Sequence, residues 1–204
     1  MRFSHAMITE SKRNKLLLLD IDDTIVRAKN IYIYKTVDGK ELKLSPEEYA
    51  KENITDENRH LYDFRDFKDA EKVSSSIKTG EPIISVLQYM DRMIEKGYNI
   101  GILTARGMEQ TIKNTLQSWL MYKKRDSLRN IGSKLKEVFA INDDIKQYKG
   151  ATDFDKKANV IKSLSKVYDK IIFIDDDMKN VNAVRRLNLS NVKVKSADEI
   201  GDLI

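Results

Sequence analysis

Short apolar runs alternate with stretches of helical periodicity along most of the chain. That alternation predicts an α/β fold with a parallel sheet. After Lys15, the continuous run Leu16 to Leu19 suits a strand buried on both faces and leads into Asp20. A second run, Tyr98 to Leu103, is followed by Thr104, and a third, Lys170 to Ile174, runs into Asp175, Asp176 and Asp177. Val138 to Ile141 reads as a weaker strand, and Asn191 to Lys195 as a last strand near the sheet edge. Between them, four apolar stripes predict helices packed on the sheet. They are Ile83, Ile84, Leu87, Met90 and Ile94, with Gly97 as C-terminal cap; Met108, Ile112, Leu116, Trp119 and Leu120; Val160, Ile161 and Leu164; and Val181, Val184 and Leu187. The two prolines, Pro46 and Pro82, stand where helices would begin.

The segment 28–80 breaks this rhythm. Tyr32 to Leu44 reads as a β-hairpin turning at Asp38-Gly39. Ser45-Pro46-Glu47-Glu48 opens a short helix with Ser45 as N-cap, and a polar stretch dotted with Tyr62, Phe64 and Phe67 follows. It is too long for an ordinary strand-to-helix loop and is expected to be a small cap inserted after the first strand, covering something. The expected architecture is a single domain over 1–204. It is a three-layer α/β sandwich with a Rossmann-like parallel sheet, carrying the 28–80 insertion.

Composition narrows the chemistry. The 204 residues are 41% hydrophobic and 34% charged, and no apolar run approaches the roughly 20 residues of a spanning helix. Arg2, His5, Glu10, Lys12 and Arg13 interrupt any signal-peptide core, so a cytoplasmic setting is expected. The absence of cysteine excludes disulfides and thiolate metal sites. A net charge of +5 and a pI near 9.1 fit either an attraction to polyanions or a lysine-rich soluble surface. The densest cationic clusters are Lys12-Arg13 with Lys15, and Lys123-Lys124-Arg125.

Ligands of open parallel sheets bind beyond the C-terminal ends of the strands. Asp20, Asp22, Thr104, Asp175 and Asp176 all fall there. Clustered carboxylates repel, and a divalent cation relieves them; oxygen ligands without cysteine suit Mg²⁺. A carboxylate can attack a phosphoryl group and divide a difficult transfer into two steps. A second acid two residues along, Asp22, would lie on the same side of an extended strand end, placed to protonate a leaving oxygen and later activate water.

The stretch Leu16-Leu-Leu-Leu-Asp20-Ile-Asp22-Asp23-Thr24 resembles the first motif of the haloacid dehalogenase-like (HAD) phosphatase superfamily. Ile100 to Thr104 resembles its second motif, and Phe173 to Asn180 its fourth; a lysine before the last motif-bearing strand, Lys157, supplies the third. The resemblance covers most of 15–30 and 83–195. It implies that Asp20 is the nucleophile and a Mg²⁺ ligand. Asp22 becomes the general acid/base, offering its backbone carbonyl to the metal. Thr104 and Lys157 hold phosphoryl oxygens, Asp175 ligates the metal, and Asp176 binds it through water or orients its shell. An acid at Asp22 implies phosphomonoester hydrolysis or, less often, transfer to another acceptor. Around the insertion, Asp63 to Glu71 and Glu81-Pro82-Ile83 resemble small bacteriophage-encoded proteins of this superfamily. Some of those are similar to the 3′-phosphatase half of polynucleotide kinase or to deoxynucleotidases. That implies a nucleotide or nucleic-acid 3′-phosphate end as substrate, in the host cytoplasm if phage-encoded. No Gly-rich Lys-Ser/Thr phosphate loop accompanies it. A general small-metabolite phosphatase and a non-catalytic protein that keeps the fold are the alternatives.

Other residues have two readings. Lys156 competes with Lys157, which is placed in the first turn of its helix and expected to open it. Arg106 would meet a substrate phosphate or pair with a carboxylate of the insertion. Asp23 reads as capping the turn and Asn180 as fixing the loop after Asp177. His5 and His60 read as surface residues, and Trp119 as core. Tyr32, Tyr34, Tyr62, Phe64 and Phe67 would form a small core of the insertion or stack a nucleobase over the site.

Overall fold

The computed structural model describes residues 15–55, 57–122, 131–143 and 147–201. His5, the cations around Lys12 and the cluster at 123–125 lie outside the described residues. The central sheet holds five parallel strands: β1 (Lys15–Leu19), β7 (Tyr98–Thr104), β8 (Leu135–Ala140), β9 (Ile171–Asp175) and β10 (Val192–Ser196), in the order β10-β9-β1-β7-β8. The strand carrying Asp20 is central, with β9 on one side and β7 on the other. Leu16 to Leu19 are fully buried, as a strand covered on both faces requires. Each such side chain contributes about 1.5–3 kcal/mol of transfer free energy.

Alternate residues feed two separate cores. Leu17, Leu19, Ile100, Ile102, Ile172 and Ile174 face α2 (Ala70–Thr79), α3 (Ile84–Glu95) and α4 (Glu109–Tyr122). Leu16, Leu18, Leu103 and Phe173 face α5 (Asp153–Leu164) and α6 (Met178–Arg185). This period-2 division across the sheet makes the three layers. A short α7 (Asp198–Gly201) follows β10 and buries Ile200 in the first core. No helix among the described residues is long and apolar enough to cross a membrane.

Several local expectations shift. β8 starts at Leu135, three residues before the apolar run suggests. Pro82 does not open a helix: with Glu81 it forms β6, which pairs with β2 (Val26–Arg27). In α3 the stripe is rotated, so Leu87 and Met90 are buried while Ile84 is 41% exposed. Met108 lies before α4 with φ 64, outside the helix its spacing suggested. Lys157 does not open α5, which begins at Asp153 with Thr152 as N-cap in a capping box. Gly97, with φ 81, ends α3 as expected.

The segment 28–80 divides in two. Its outer part is a small antiparallel sheet of β3 (Ile33–Val37), β4 (Lys40–Leu44) and β5 (Tyr62–Asp63), with α1 (Pro46–Ala50) attached. The hairpin turns at Asp38 and Gly39, φ 49 and 73, the left-handed pair that a two-residue type I′ turn needs. Ser45 caps α1 in a reciprocal capping box with Glu48. The inner part, α2, instead joins the main core through Val73 and Ile77. Gly80 makes the join: a Cβ there would sit 2.5 Å from Val26 Cγ2, 2.8 Å from the Arg27 carbonyl oxygen and 2.9 Å from that of Ser76. Two of those three neighbours are backbone atoms that cannot yield. Gly80→Ala is therefore expected to destabilise the protein by about 3 kcal/mol in a urea titration; an unchanged midpoint would contradict this packing.

Candidate active site

The C-terminal ends of β1, β7 and β9 converge. Asp20 follows β1, and its backbone N–H donates to the Ile174 carbonyl of β9 at 3.0 Å. The chain then reverses tightly. Ile25 N–H donates to the Ile21 carbonyl at 2.9 Å, and Asp23, in the left-handed region with φ 50, donates from its N–H to Val26 O at 3.0 Å. An aspartate tolerates that conformation better than most residues, which gives Asp23 the turn role read from its position. Thr24, fully buried, ties the turn to the end of β9: its hydroxyl accepts the Asp176 N–H at 3.0 Å and donates to Asp176 Oδ1 at 3.2 Å.

Lys157 is the hub. It is 1% exposed, and its ammonium donates to Asp20 Oδ1 at 2.9 Å and Asp175 Oδ2 at 2.8 Å. Asp175 Oδ1 accepts from the Asp177 N–H at 3.0 Å and from Asn180 Nδ2 at 2.9 Å, so Asn180 fixes this strand end as expected. Lys156 points elsewhere, donating to Asn142 Oδ1 at 2.6 Å. Of the two lysines, Lys157 alone enters the acidic cluster, although it sits one turn deeper in α5 than anticipated.

Asp20, Asp175 and Asp176 offer carboxylate oxygens that all lie within 4.8 Å of one another. Ligand oxygens of an octahedral ion at about 2.1 Å are about 3 Å apart when adjacent and about 4.2 Å apart when opposite. The three acids therefore fit a single hard divalent cation. Three carboxylates also face one ammonium. Burial pushes Asp20 well above the usual carboxylate range, and Asp175, Asp176 and Asp22 push it further against the pull of Lys157. Burial and Asp175 raise Asp176 to about 7. For Lys157, burial favours the neutral amine, but Asp175 and Asp20 outweigh it and keep the ammonium.

Asp22 does not point into this cluster. Its carboxylate is gripped by Arg106, Nε to Oδ2 at 2.8 Å and Nη2 to Oδ1 at 2.7 Å. The partner of Arg106 is thus Asp22, not a carboxylate of the insertion. Thr104, fully buried at the end of β7, accepts the Arg106 backbone N–H on its hydroxyl at 3.2 Å. Sequence reading missed Ser76 entirely: from α2 it accepts Arg106 Nη1 at 2.9 Å. No spacing signal links a mid-helix serine to a strand end thirty residues away. The locking role of Thr24 was also missed, although its place in the first motif marks it.

A cavity of about 810 Å³ opens from the Asp22 and Arg106 side of the cluster; neither Asp20 nor Asp175 is on its wall. The insertion contributes Tyr49, Tyr62, Phe64 and Phe67, and the lining also includes Asn142 and Lys156. Tyr49 meets Tyr62 and Phe64 edge-on at centroid distances of 5.4 and 5.3 Å, and Phe64 meets Phe67 at 6.2 Å. These rings are the insertion's core and the cavity's wall at once. Tyr34 is buried and Tyr32 half-buried, neither on the cavity wall, and Asp66 accepts from the Tyr32 backbone N–H and the Tyr34 hydroxyl. His60 is exposed and Trp119 buried, as expected.

Fold and site together define an α/β protein with an acid-and-lysine centre at the C-terminal edge of a parallel sheet, the arrangement the sequence motifs imply. No family model and no curated protein matches the chain. Among solved structures, it is similar to a chain in the Pnkp1/Rnl/Hen1 RNA repair complex, with TM-score 0.49 and 13% identity over 92% of this chain and 44% of that one. Similarity to a chain in a second structure of the Pnkp1/Rnl/Hen1 complex has TM-score 0.46 and 14% identity, covering 96% and 52%. A hydrolase described as a haloacid dehalogenase-like family protein from Streptococcus pneumoniae gives TM-score 0.46 and 12% identity, covering 92% and 97%. The chain spans about half the length of the first two.

Proposed function

We propose that this protein is a Mg²⁺-dependent phosphomonoester hydrolase that forms an aspartyl phosphate on Asp20, acting on a nucleotide or a nucleic-acid 3′-phosphate end. The observation that carries the reading is the pairing of Asp20 with Lys157 inside a three-carboxylate cluster, with a second acid, Asp22, held beside it at the mouth of a large cavity.

Asp20 attacks phosphorus while the bond to the ester oxygen breaks, and Asp22 gives that oxygen its proton, releasing an alcohol. In the second step Asp22, now a carboxylate, takes a proton from water as the water oxygen attacks phosphorus, and Asp20 leaves as a carboxylate. Lys157 has three N–H donors, two of them spent on Asp20 and Asp175, leaving one for a phosphoryl oxygen. Among the described residues the Thr104 hydroxyl accepts from Arg106 and has no acceptor of its own, so its proton is available for another phosphoryl oxygen. Asp20, Asp175 and Asp176, with the Asp22 backbone carbonyl, would hold Mg²⁺, which when bound would supply positive charge against the transferring group. The outer part of the 28–80 insertion serves as the cap, and its aromatic wall faces the side on which the leaving group departs.

That wall favours a leaving group carrying a ring. With Mg²⁺, kcat/KM is expected to be highest on 3′-phosphorylated oligonucleotides or nucleoside monophosphates and lowest on sugar phosphates. The reverse order would identify a general metabolite phosphatase. No hydrolysis across the panel would leave a binding protein that keeps the fold.

Metal binding is testable without turnover. The folded-state value of Asp176, about 7, exceeds its unfolded value of about 3.9. Without metal the site is therefore neutral in its effect below about pH 4 and costs increasing stability as pH rises towards 7. Mg²⁺ is expected to raise the melting temperature at pH 8 more than at pH 5, and Asp175→Asn to remove the increment. An increment equal at both pH values would count against the cluster as the binding site.

A further inference from the structure

Arg106 is among the largest fully buried side chains, at 1% exposure, and its contacts run in four directions. Its fork holds both oxygens of Asp22 at 2.8 and 2.7 Å. Nη1 donates to Ser76 Oγ at 2.9 Å, and the Ser76 hydroxyl donates in turn to the Val73 carbonyl at 2.8 Å, which fixes the serine with a lone pair towards the guanidinium. The Phe67 ring lies 5.6 Å from the guanidinium carbon, and the backbone N–H of Arg106 is bound by Thr104. Three of its five N–H donors are thus committed to protein groups, two of them to one carboxylate. Next along the chain, Gly107 lets the loop close: a Cβ there would stand 3.0 Å from the Asn142 carbonyl oxygen.

We propose that Arg106 is a positioning residue: it holds the Asp22 carboxylate in the orientation that serves the leaving oxygen, and it is itself held by Ser76 of α2 and Phe67 of the insertion. The inference rests on the phosphomonoesterase reading above. A bidentate fork defines the plane and direction of a carboxylate, which a lysine ammonium cannot do. The insertion thereby touches the acid/base through one intermediary, Phe67 to Arg106 to Asp22, as well as lining the cavity.

The role separates from phosphoryl binding by the leaving group. An alkoxide needs the proton of Asp22, whereas a nitrophenolate leaves without one. In single-turnover phosphoenzyme formation, Arg106→Lys is expected to slow an alkyl phosphate about 10²-fold and a nitrophenyl phosphate by less than about threefold. Against an Asp22→Asn background, the same substitution should change neither rate by more than about twofold. Ser76→Ala, which removes the acceptor of Nη1 together with the serine's own bond to Val73, should slow the alkyl ester about fivefold and spare the nitrophenyl ester, so the test survives if Arg106→Lys fails to fold. Equal losses on both esters, or a full loss persisting in the Asp22→Asn background, would overturn the inference in favour of direct phosphoryl binding. An unchanged alkyl rate in both Arg106→Lys and Ser76→Ala would also overturn it. An inactive wild type, or an Asp20→Asn variant that turns over normally, would instead remove the phosphatase reading on which it rests.

Discussion

Asp20→Asn is expected to lower phosphomonoester turnover by roughly 10⁴-fold or more, as removal of a covalent nucleophile does. The substitution keeps the shape of the side chain and removes its charge and its nucleophilic oxygen. Lys157 would retain its bond to Asp175, and the Asp20 backbone N–H would keep its bond to Ile174, so the strand end should hold. Circular dichroism should then match the wild type while the rate collapses. Acid-quenched wild type should carry a phosphoryl group on Asp20, detected by mass spectrometry, and the variant none. Turnover near the wild-type rate in a folded Asp20→Asn protein would end the covalent mechanism.

Removing Lys157 should have the largest effect on stability. Lys157→Met conserves much of the buried volume but leaves Asp20 and Asp175, both buried, facing each other without their shared cation. Breaking a buried ion pair from one side costs about 3–5 kcal/mol. The pH dependence follows from the sign of the charge left behind. Asp20 already stands above its unfolded value, and loss of the ammonium, which lowers it, moves it further up. The deficit is therefore smallest below the unfolded carboxylate value of about 3.9 and grows as pH rises above it. Urea titrations at pH 5 and pH 8 should show a wider gap from wild type at pH 8, narrowed by Mg²⁺. Lys156→Met, whose side chain reaches Asn142 at the cavity wall, should cost less than about 1 kcal/mol at either pH. Equal destabilisation by the two substitutions would show that the cluster does not depend on Lys157.

Much of this site is legible in the chain because its chemistry is concentrated at strand ends. Leu16 to Leu19 announce a strand buried on both faces, so the acid that follows must emerge at its C-terminal edge. The same logic places Thr104 and Asp175, and a periodicity of two or 3.6 assigns most of the core without knowledge of contacts. Local chemistry is equally readable where partners are near in sequence: the Asp38-Gly39 turn, the Ser45 cap and the Asn180 bond to Asp175 all span five residues or fewer.

What the chain alone could not settle involves partners far apart in sequence. Arg106 reaches Asp22 across 84 residues, and Lys157 reaches Asp20 across 137. Whether Arg106 meets a substrate, an insertion carboxylate or Asp22 depends on the sheet order β10-β9-β1-β7-β8, which sets β7 beside β1. Whether α2 belongs to the insertion or to the main core depends on Val73 and Ile77 finding the face of the sheet, with Gly80 allowing the close turn. Ile84 shows the same limit in the opposite direction, since its periodicity fits the core while the docked helix leaves it 41% exposed. Spacing thus determined which groups stand at the strand ends. Tertiary packing decided which cation each acid meets, because ion pairs and hydrogen bonds form between side chains brought within about 3 Å, and that proximity is created by sheet order and helix docking.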